Sequence, residues 1–308
     1  MSGDHTSAAP ALAASATRRR TVGAATQLGT EVSINLGSAL AGLVIPIVGS
    51  FVVVAVRQLV MAAAVLPFYR PRRAELTWSR LWPAVALGVV LAVMNLSFYE
   101  SVHLLGLGIA ATIEFLGPLT LALVTSRRLL DVVCAVAAGA GVFLLTGFDG
   151  TIDVWGVLLA LTAAAAWAFY IVLTRRVATR LPGLEGLTVA SIVSLVILLP
   201  AAAVTFDAAA IDWRVLALLV GVGLLSSAIP YSLDTFILRR ITPRLYAIIT
   251  SFGPVVAAVF GWLILAEQFT VLEIVAIAIV CLAAGTAIAT QRERPAKSDL
   301  EQVAEITP

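Results

Sequence analysis

Apolar runs of about twenty residues, separated by short polar stretches, dominate this chain. Crossing a bilayer's hydrocarbon core as a helix takes about 20 apolar residues. Ten runs meet that length: 22–44, 50–69, 81–101, 106–126, 129–147, 154–174, 186–206, 214–238, 244–265 and 270–290. They are numbered here as spans 1 to 10. Span 1 is the most diluted, because Gln27, Glu31, Ser33 and Asn35 interrupt it. The pattern predicts an all-α polytopic membrane protein with ten transmembrane helices.

Basic residues give a second, independent reading. Arg and Lys collect on the cytoplasmic side of short loops. Here the N-terminal end holds Arg18, Arg19 and Arg20, and the gap after span 2 holds Arg70, Arg72, Arg73 and Arg80. The later even-numbered gaps hold Arg127 and Arg128, then Arg175, Arg176 and Arg180, then Arg239, Arg240 and Arg244. The C-terminal end holds Arg292, Arg294 and Lys297. Together these are eighteen of the twenty basic residues, with Arg214 outside and Arg57 within span 2. Asp149, Asp153, Asp207 and Asp212 occupy the opposite gaps. Adding or removing one span would destroy the alternation, so both termini are expected to be cytoplasmic. Residues 1–20 read as a disordered tail and 292–308 as a second cytoplasmic tail.

The two halves of the chain resemble each other. The segment YESVHLLGLGIAATIEFLGP from Tyr99 runs parallel to YSLDTFILRRITPRLYAIITSFGP from Tyr231, with Gly117-Pro118 over Gly253-Pro254. AVRQLVMAAAVLPF from Ala55 runs parallel to TVASIVSLVILLPA from Thr188, with Pro67 over Pro200. Two repeats, 21–148 and 149–291, would hold five spans each. Five is odd, so the second repeat enters the membrane inverted, as in many secondary transporters whose substrate site lies near the midplane.

Ionisable groups inside hydrocarbon cost several kcal/mol and are functional candidates by default. Glu31, Arg57 and Glu114 are such groups. At ~1.5 Å rise per residue, Glu114 lies ~12 Å and Arg57 ~10 Å from the outer ends of their spans. Asn35 and Asn95 reach a similar layer. In the repeat, Ala190 stands over Arg57 and Thr250 over Glu114, so the scaffold itself does not demand charge there. Glu114 either carries a proton or binds a substrate's amino group, or else forms a structural ion pair with Arg57. Arg57 either holds a substrate carboxylate or neutralises Glu114 or Glu31. Tyr99, Trp167, Tyr170 and Tyr231 are further candidates to line a cavity. Trp78, Trp82, Trp155, Trp213 and Trp262 read as interfacial anchors or packing residues, and Asp234 as a surface partner of Arg239 and Arg240. Pro118, Pro230 and Pro254 are candidate hinges.

Composition narrows the function classes. Hydrophobic types make up 60% and charged types 12% of the 308 residues, with mean hydropathy +1.02. That leaves too few charges to cover a water-soluble surface, so the lipid bilayer is the surrounding partner. Cys134 and Cys281 stand alone in apolar runs, without the spacing of a disulfide framework or zinc site. No Walker loop, zincin motif or nucleophile elbow is present. No cofactor, metal or nucleic acid is expected, and neither is an enzyme. Uphill transport would then draw on an ion gradient. The oligomeric state is left open.

Two segments carry a family likeness: GIAATIEFLGPLTLALVTSRRLLD from Gly108, and LSSAIPYSLDTFILRRITPRLYAIITSFGPVVAAVFGWLILAEQ from Leu225. With Glu114-Phe115, Gly117-Pro118, Ser126-Arg127-Arg128, Pro230-Tyr231-Ser232, Glu267 and Arg57, the chain resembles the EamA branch of the drug/metabolite transporter superfamily. Within that branch it is similar to the bacterial threonine/homoserine exporter type, over about residues 22–290. Glu31 and Glu100 depart from that type, and an extra carboxylate suits a cationic or differently sized solute. The resemblance implies export of small amino acids or related metabolites across the bacterial inner membrane by alternating access, with protons as coupling ion. Export of cationic, aromatic or drug-like solutes is the alternative, and a non-transport membrane subunit or sensor the second.

Overall fold

The computed structural model describes residues 8–66, 77–124, 129–146, 153–181, 185–238 and 240–290. Expectations placed on Arg70, Arg127, Asp149 and the C-terminal tail therefore lie outside the described residues, as do the side chains of Asp234 and Arg244. Among the described residues all regular structure is helical. The first half contains α1 (Ala8–Val48), α2 (Ser50–Val65), α3 (Trp78–Leu105), α4 (Leu107–Glu114), α5 (Leu116–Val124) and α6 (Leu129–Thr146). The second contains α7 (Val154–Ala178), α8 (Glu185–Thr205), α9 (Trp213–Gly223), α10 (Ile229–Leu238), α11 (Pro243–Thr250), α12 (Gly253–Ile264) and α13 (Val271–Thr290). A five-residue π-helical segment, Leu224–Ala228, joins α9 to α10.

Among the described residues, seven helical rods are long and apolar enough to cross a membrane, and Ser50–Val65, Leu107–Leu121 and Val132–Leu145 are shorter apolar helices. Large apolar side chains such as Val124, Leu129, Phe169, Val204 and Leu282 are exposed on the outside of the bundle, a surface suited to lipid rather than water. The first helix begins at Ala8, within the stretch expected as a tail. The alanines of that stretch are the strongest helix formers, which accounts for the helix extending that far.

Glycine makes the shortest joints. Gly49, between α1 and α2, and Gly106, between α3 and α4, have φ of 78° and 85°, a region side-chain-bearing residues rarely occupy. Each allows two helices to meet across a single residue. The acidic residues of the opposite gaps act as helix caps: Asp153 accepts from Gly156 N at 3.0 Å and Asp212 from Val215 N at 2.8 Å. Such caps satisfy amides that the first turn leaves unpaired. Glu267 does the same across the bundle. From the loop after α12 its carboxylate accepts from the amides of Leu107 and Gly108, so it caps α4. Burial pushes its carboxyl above the usual range, and the two amides pull it part of the way back.

Packing pairs the helices across the halves. The most extensive contacts run between α3 and α7, α6 and α13, α3 and α8, and α2 and α8. α4 lies on α12, and α1 lies along the rod made by α9, the π segment and α10. Basic residues gather at one end. Arg180 donates to Ser79 O at 2.9 Å beside Trp82, and Arg240 lies against Gly23 near the start of α1. The capped ends of α4 and α7 meet at the other end, where Gly156 packs on Leu104 and Leu105.

Gly117 is the tightest close approach in the cavity-bearing helices: a Cβ there would lie 2.1 Å from Ala164 O. Gly139 meets nothing within 4 Å. Gly117→Ala is expected to cost about 1–3 kcal/mol through overpacking and to lower the melting temperature in detergent. Gly139→Ala is expected to leave it unchanged or slightly raised.

Candidate functional site

Two breaks in the helices shape the site. α4 ends at Glu114, with Phe115 at φ −65° and ψ −14°; α11 ends at Thr250, with Ser251 at φ −65° and ψ −12°. Both helices have eight residues. Phe115 N bonds to Ala111 O and Ile113 O, and Ser251 N to Ala247 O and Ile249 O, position for position. The cause is chemical. Pro118 and Pro254 have no N–H to give the carbonyl four residues earlier, and those carbonyls belong to Glu114 and Thr250. The helix yields at the residues that carry the candidate chemistry.

Pro230 has the same effect on a third rod. It lacks the N–H that Ser226 O would accept in an α-helix, and a π turn forms there, with Ile229 N bonding to Leu224 O. The freed Ser226 carbonyl accepts from Arg57 Nη2 at 2.9 Å. Arg57 Nε donates to Ser227 Oγ at 2.5 Å, and Nη1 donates to Asn95 Oδ1 and to Tyr99 OH, the latter at 3.2 Å. The guanidinium also lies 5.6 Å from the centre of the Tyr99 ring. Thus α2, α3 and the π segment together surround one buried cation, and all four of its hydrogen-bond acceptors are neutral.

A cavity of about 190 Å³ opens beside this cluster, with walls from both halves. α1 contributes Glu31, Ile34, Asn35 and Ser38; α2 contributes Arg57; α3 contributes Met94, Asn95 and Phe98. Ala111, Glu114 and Phe115 come from the first helix break, and Trp167 and Tyr170 from α7. Ser226, Tyr231, Tyr246, Thr250, Gly253 and Pro254 complete the wall. Trp167 meets Phe115 edge-on at 5.6 Å. Glu31 accepts from Gln27 Nε2 at 3.0 Å, and the same nitrogen donates to Thr250 Oγ1 at 3.1 Å, tying α1 to the second break. Asn35 Nδ2 donates back to Glu31 O at 2.9 Å. Glu114 is half-buried on the wall. No described residue hydrogen-bonds its carboxylate, and Arg57 acts on it only through space.

Of the residues expected from the sequence, Glu31, Asn35, Arg57, Asn95, Glu114, Trp167, Tyr170 and Tyr231 border this one cavity. Tyr99 does not: it is fully buried and supports Arg57 from behind. Among the hinge candidates, Pro254 lies on the wall, Pro230 leaves free the Ser226 carbonyl that Arg57 meets, and Pro118 marks the break after Glu114. Sequence reading missed Phe98, Phe115, Ser226, Ser227, Tyr246 and Thr250. Thr250 was in view as the repeat's counterpart of Glu114, and Pro230 pointed to Ser226.

With the geometry in place, comparison with known proteins assigns the family. Residues 154–289 match the model of the EamA-like transporter family. The threonine/homoserine exporter RhtA of Salmonella typhimurium is 35% identical over 265 residues, covering 85% of this chain and 90% of the relative. The Escherichia coli K12 protein of the same name is 34% identical over 269 residues, covering 86% and 91%. This chain belongs to the EamA-like transporter family. A crystal structure named only as that of a protein covers 86% of this chain and 96% of its own, with TM-score 0.58 at 18% identity; that likeness concerns the fold alone. An EamA-like chain is a multi-pass membrane transporter of the drug/metabolite type.

Ser227 supplies one of the acceptors of Arg57, whereas Ser232 only donates to Ala228 O in its own helix at 2.6 Å. A buried hydrogen bond to a charged group contributes about 1.5–3 kcal/mol. Ser227→Ala is therefore expected to lower the detergent melting temperature clearly, and Ser232→Ala to leave it near wild type.

Proposed function

We propose that this protein exports small amino acids of the threonine and homoserine kind, or close metabolites, from the cytoplasm of a bacterium across its inner membrane. Ten spans form two inverted five-helix repeats, 21–148 and 149–291, with both termini cytoplasmic. Several features support the repeat. The breaks at Glu114 and Thr250 match, and packing of α3 on α7 has its counterpart in α1 on the α9–α10 rod. Alternating access swings one repeat against the other around the central cavity, with the proline-marked joints at Pro118, Pro230 and Pro254 as hinges.

One observation carries the reading: a small cavity between the halves presents an unbonded carboxylate, Glu114, opposite a buried guanidinium. About 190 Å³ is below the ~300–1,000 Å³ of drug-sized sites, which favours a metabolite over a bulky drug. Glu114 is the coupling residue. Protons returning down their gradient bind it, and the solute's ammonium group replaces them, so proton and solute exchange at one carboxylate. The relatives' names support the solute class. A second reading, export of more cationic solutes, is favoured by the pair Glu31 and Glu114 on one wall.

The test is efflux of labelled threonine and homoserine from preloaded cells carrying wild type, Glu114→Gln or empty vector. Wild type is expected to exceed vector severalfold, and Glu114→Gln at equal membrane level to fall to vector. Wild-type efflux equal to vector would remove the amino-acid assignment.

A further inference from the structure

The cavity is lopsided in what it offers a zwitterion. A guanidinium has five N–H donors and grips a carboxylate best through two parallel ones on a single edge. In Arg57, Nε is held by Ser227, both hydrogens of Nη1 face Asn95 and Tyr99, and one hydrogen of Nη2 goes to Ser226 O. One N–H remains, and no edge of the fork is free. Releasing those partners would strand the Ser226 carbonyl, because Pro230 cannot give it another donor. Glu114, on the same cavity, is in the opposite condition, since no described residue hydrogen-bonds its carboxylate. Aromatic rings border the same space, Phe115 and Trp167 next to Glu114 and Tyr231 and Tyr246 from the second half. Carboxylate plus aromatic walls is the chemistry that recognises ammonium groups.

We infer that the transporter selects its solutes by the ammonium group, bound at Glu114, and that Arg57 is a positioning residue rather than the ligand of a solute carboxylate. This rests on the exporter reading above and deepens it: a free carboxylate is dispensable in the solute, and a free primary amine is not. Small amino-acid amides, esters and lactones therefore belong to the substrate class, and N-acylated amino acids do not. The charge of Arg57 still acts across the cavity. It offsets part of the negative potential of Glu31 and Glu114, so that the solute is not held too tightly to be released.

Two measurements on the purified full-length protein test this and separate it from the exporter reading. The first is the shift in melting temperature in detergent on adding threonine, threonine amide or N-acetylthreonine. Threonine and its amide are expected to stabilise the wild type alike, N-acetylthreonine at least about tenfold more weakly, and Glu114→Gln to lose the response to the amide. No shift with the amide, or an equal shift with N-acetylthreonine, overturns the inference. The second is exchange of labelled threonine in liposomes with the same compounds as competitors. Exchange blocked by the amide and not by N-acetylthreonine supports both readings. Exchange blocked by N-acetylthreonine alone sinks ammonium selection and leaves export standing. An amide shift without any threonine exchange supports ammonium selection and removes the threonine assignment.

Discussion

A guanidinium buried in a membrane protein must be surrounded by acceptors, and much of the bundle's centre follows from meeting that requirement for Arg57. An uncompensated charge at that depth costs several kcal/mol. Compensation here comes from neutral groups on α3 and the π segment: Asn95, Tyr99, Ser227 and a main-chain carbonyl. That carbonyl is available because Pro230 has no N–H to occupy it. A defect in one helix of the second half thus meets a charge in a helix of the first. Each would be unfavourable alone; together they fasten the two halves at the level of the cavity.

The same proline chemistry recurs at Pro118 and Pro254, with a different result. There the helix breaks, and the residues at the two breaks, Glu114 and Thr250, both border the cavity. One half bears a carboxylate there and the other a hydroxyl, so two matching breaks give an asymmetric site. Asymmetry of this kind is what a solute with a charged end requires. Glu31, held by Gln27 beside Thr250, adds acidic character on the α1 side.

Much of this was legible in the sequence. Hydrophobic run length anticipated an all-helical chain of apolar rods. Isolated polar residues in apolar runs identified five of the cavity's wall residues, and aromatic residues three more. Three things were not legible, each for a physical reason. Tyr99 lies one turn beyond Asn95 on the same face of α3 and meets the same guanidinium, yet it is fully buried and off the cavity wall; spacing along a helix does not say which of two such residues borders a cavity. Ser226 and Ser227 look like ordinary small packing residues, and only the π turn directs them at a cation. Thr250 was read as the absence of charge in the repeat, yet a cavity needs neutral hydrogen-bonding walls as well as charged ones. The proline positions were visible as hinges, but their sharper meaning, a freed carbonyl four residues earlier, needs a partner from another helix.

Labour is divided between two charged residues: Arg57 holds the bundle's centre, and Glu114 is proposed to meet the solute. The most direct test places Arg57→Met and Glu114→Gln side by side and measures detergent melting temperature without solute. Arg57→Met leaves four buried acceptors without their donor and is expected to melt well below wild type, by several degrees. Glu114→Gln removes a half-buried charge that no described residue hydrogen-bonds and is expected to melt at or above wild type. An Arg57→Met protein as stable as wild type, or a Glu114→Gln protein that unfolds early, would contradict the division.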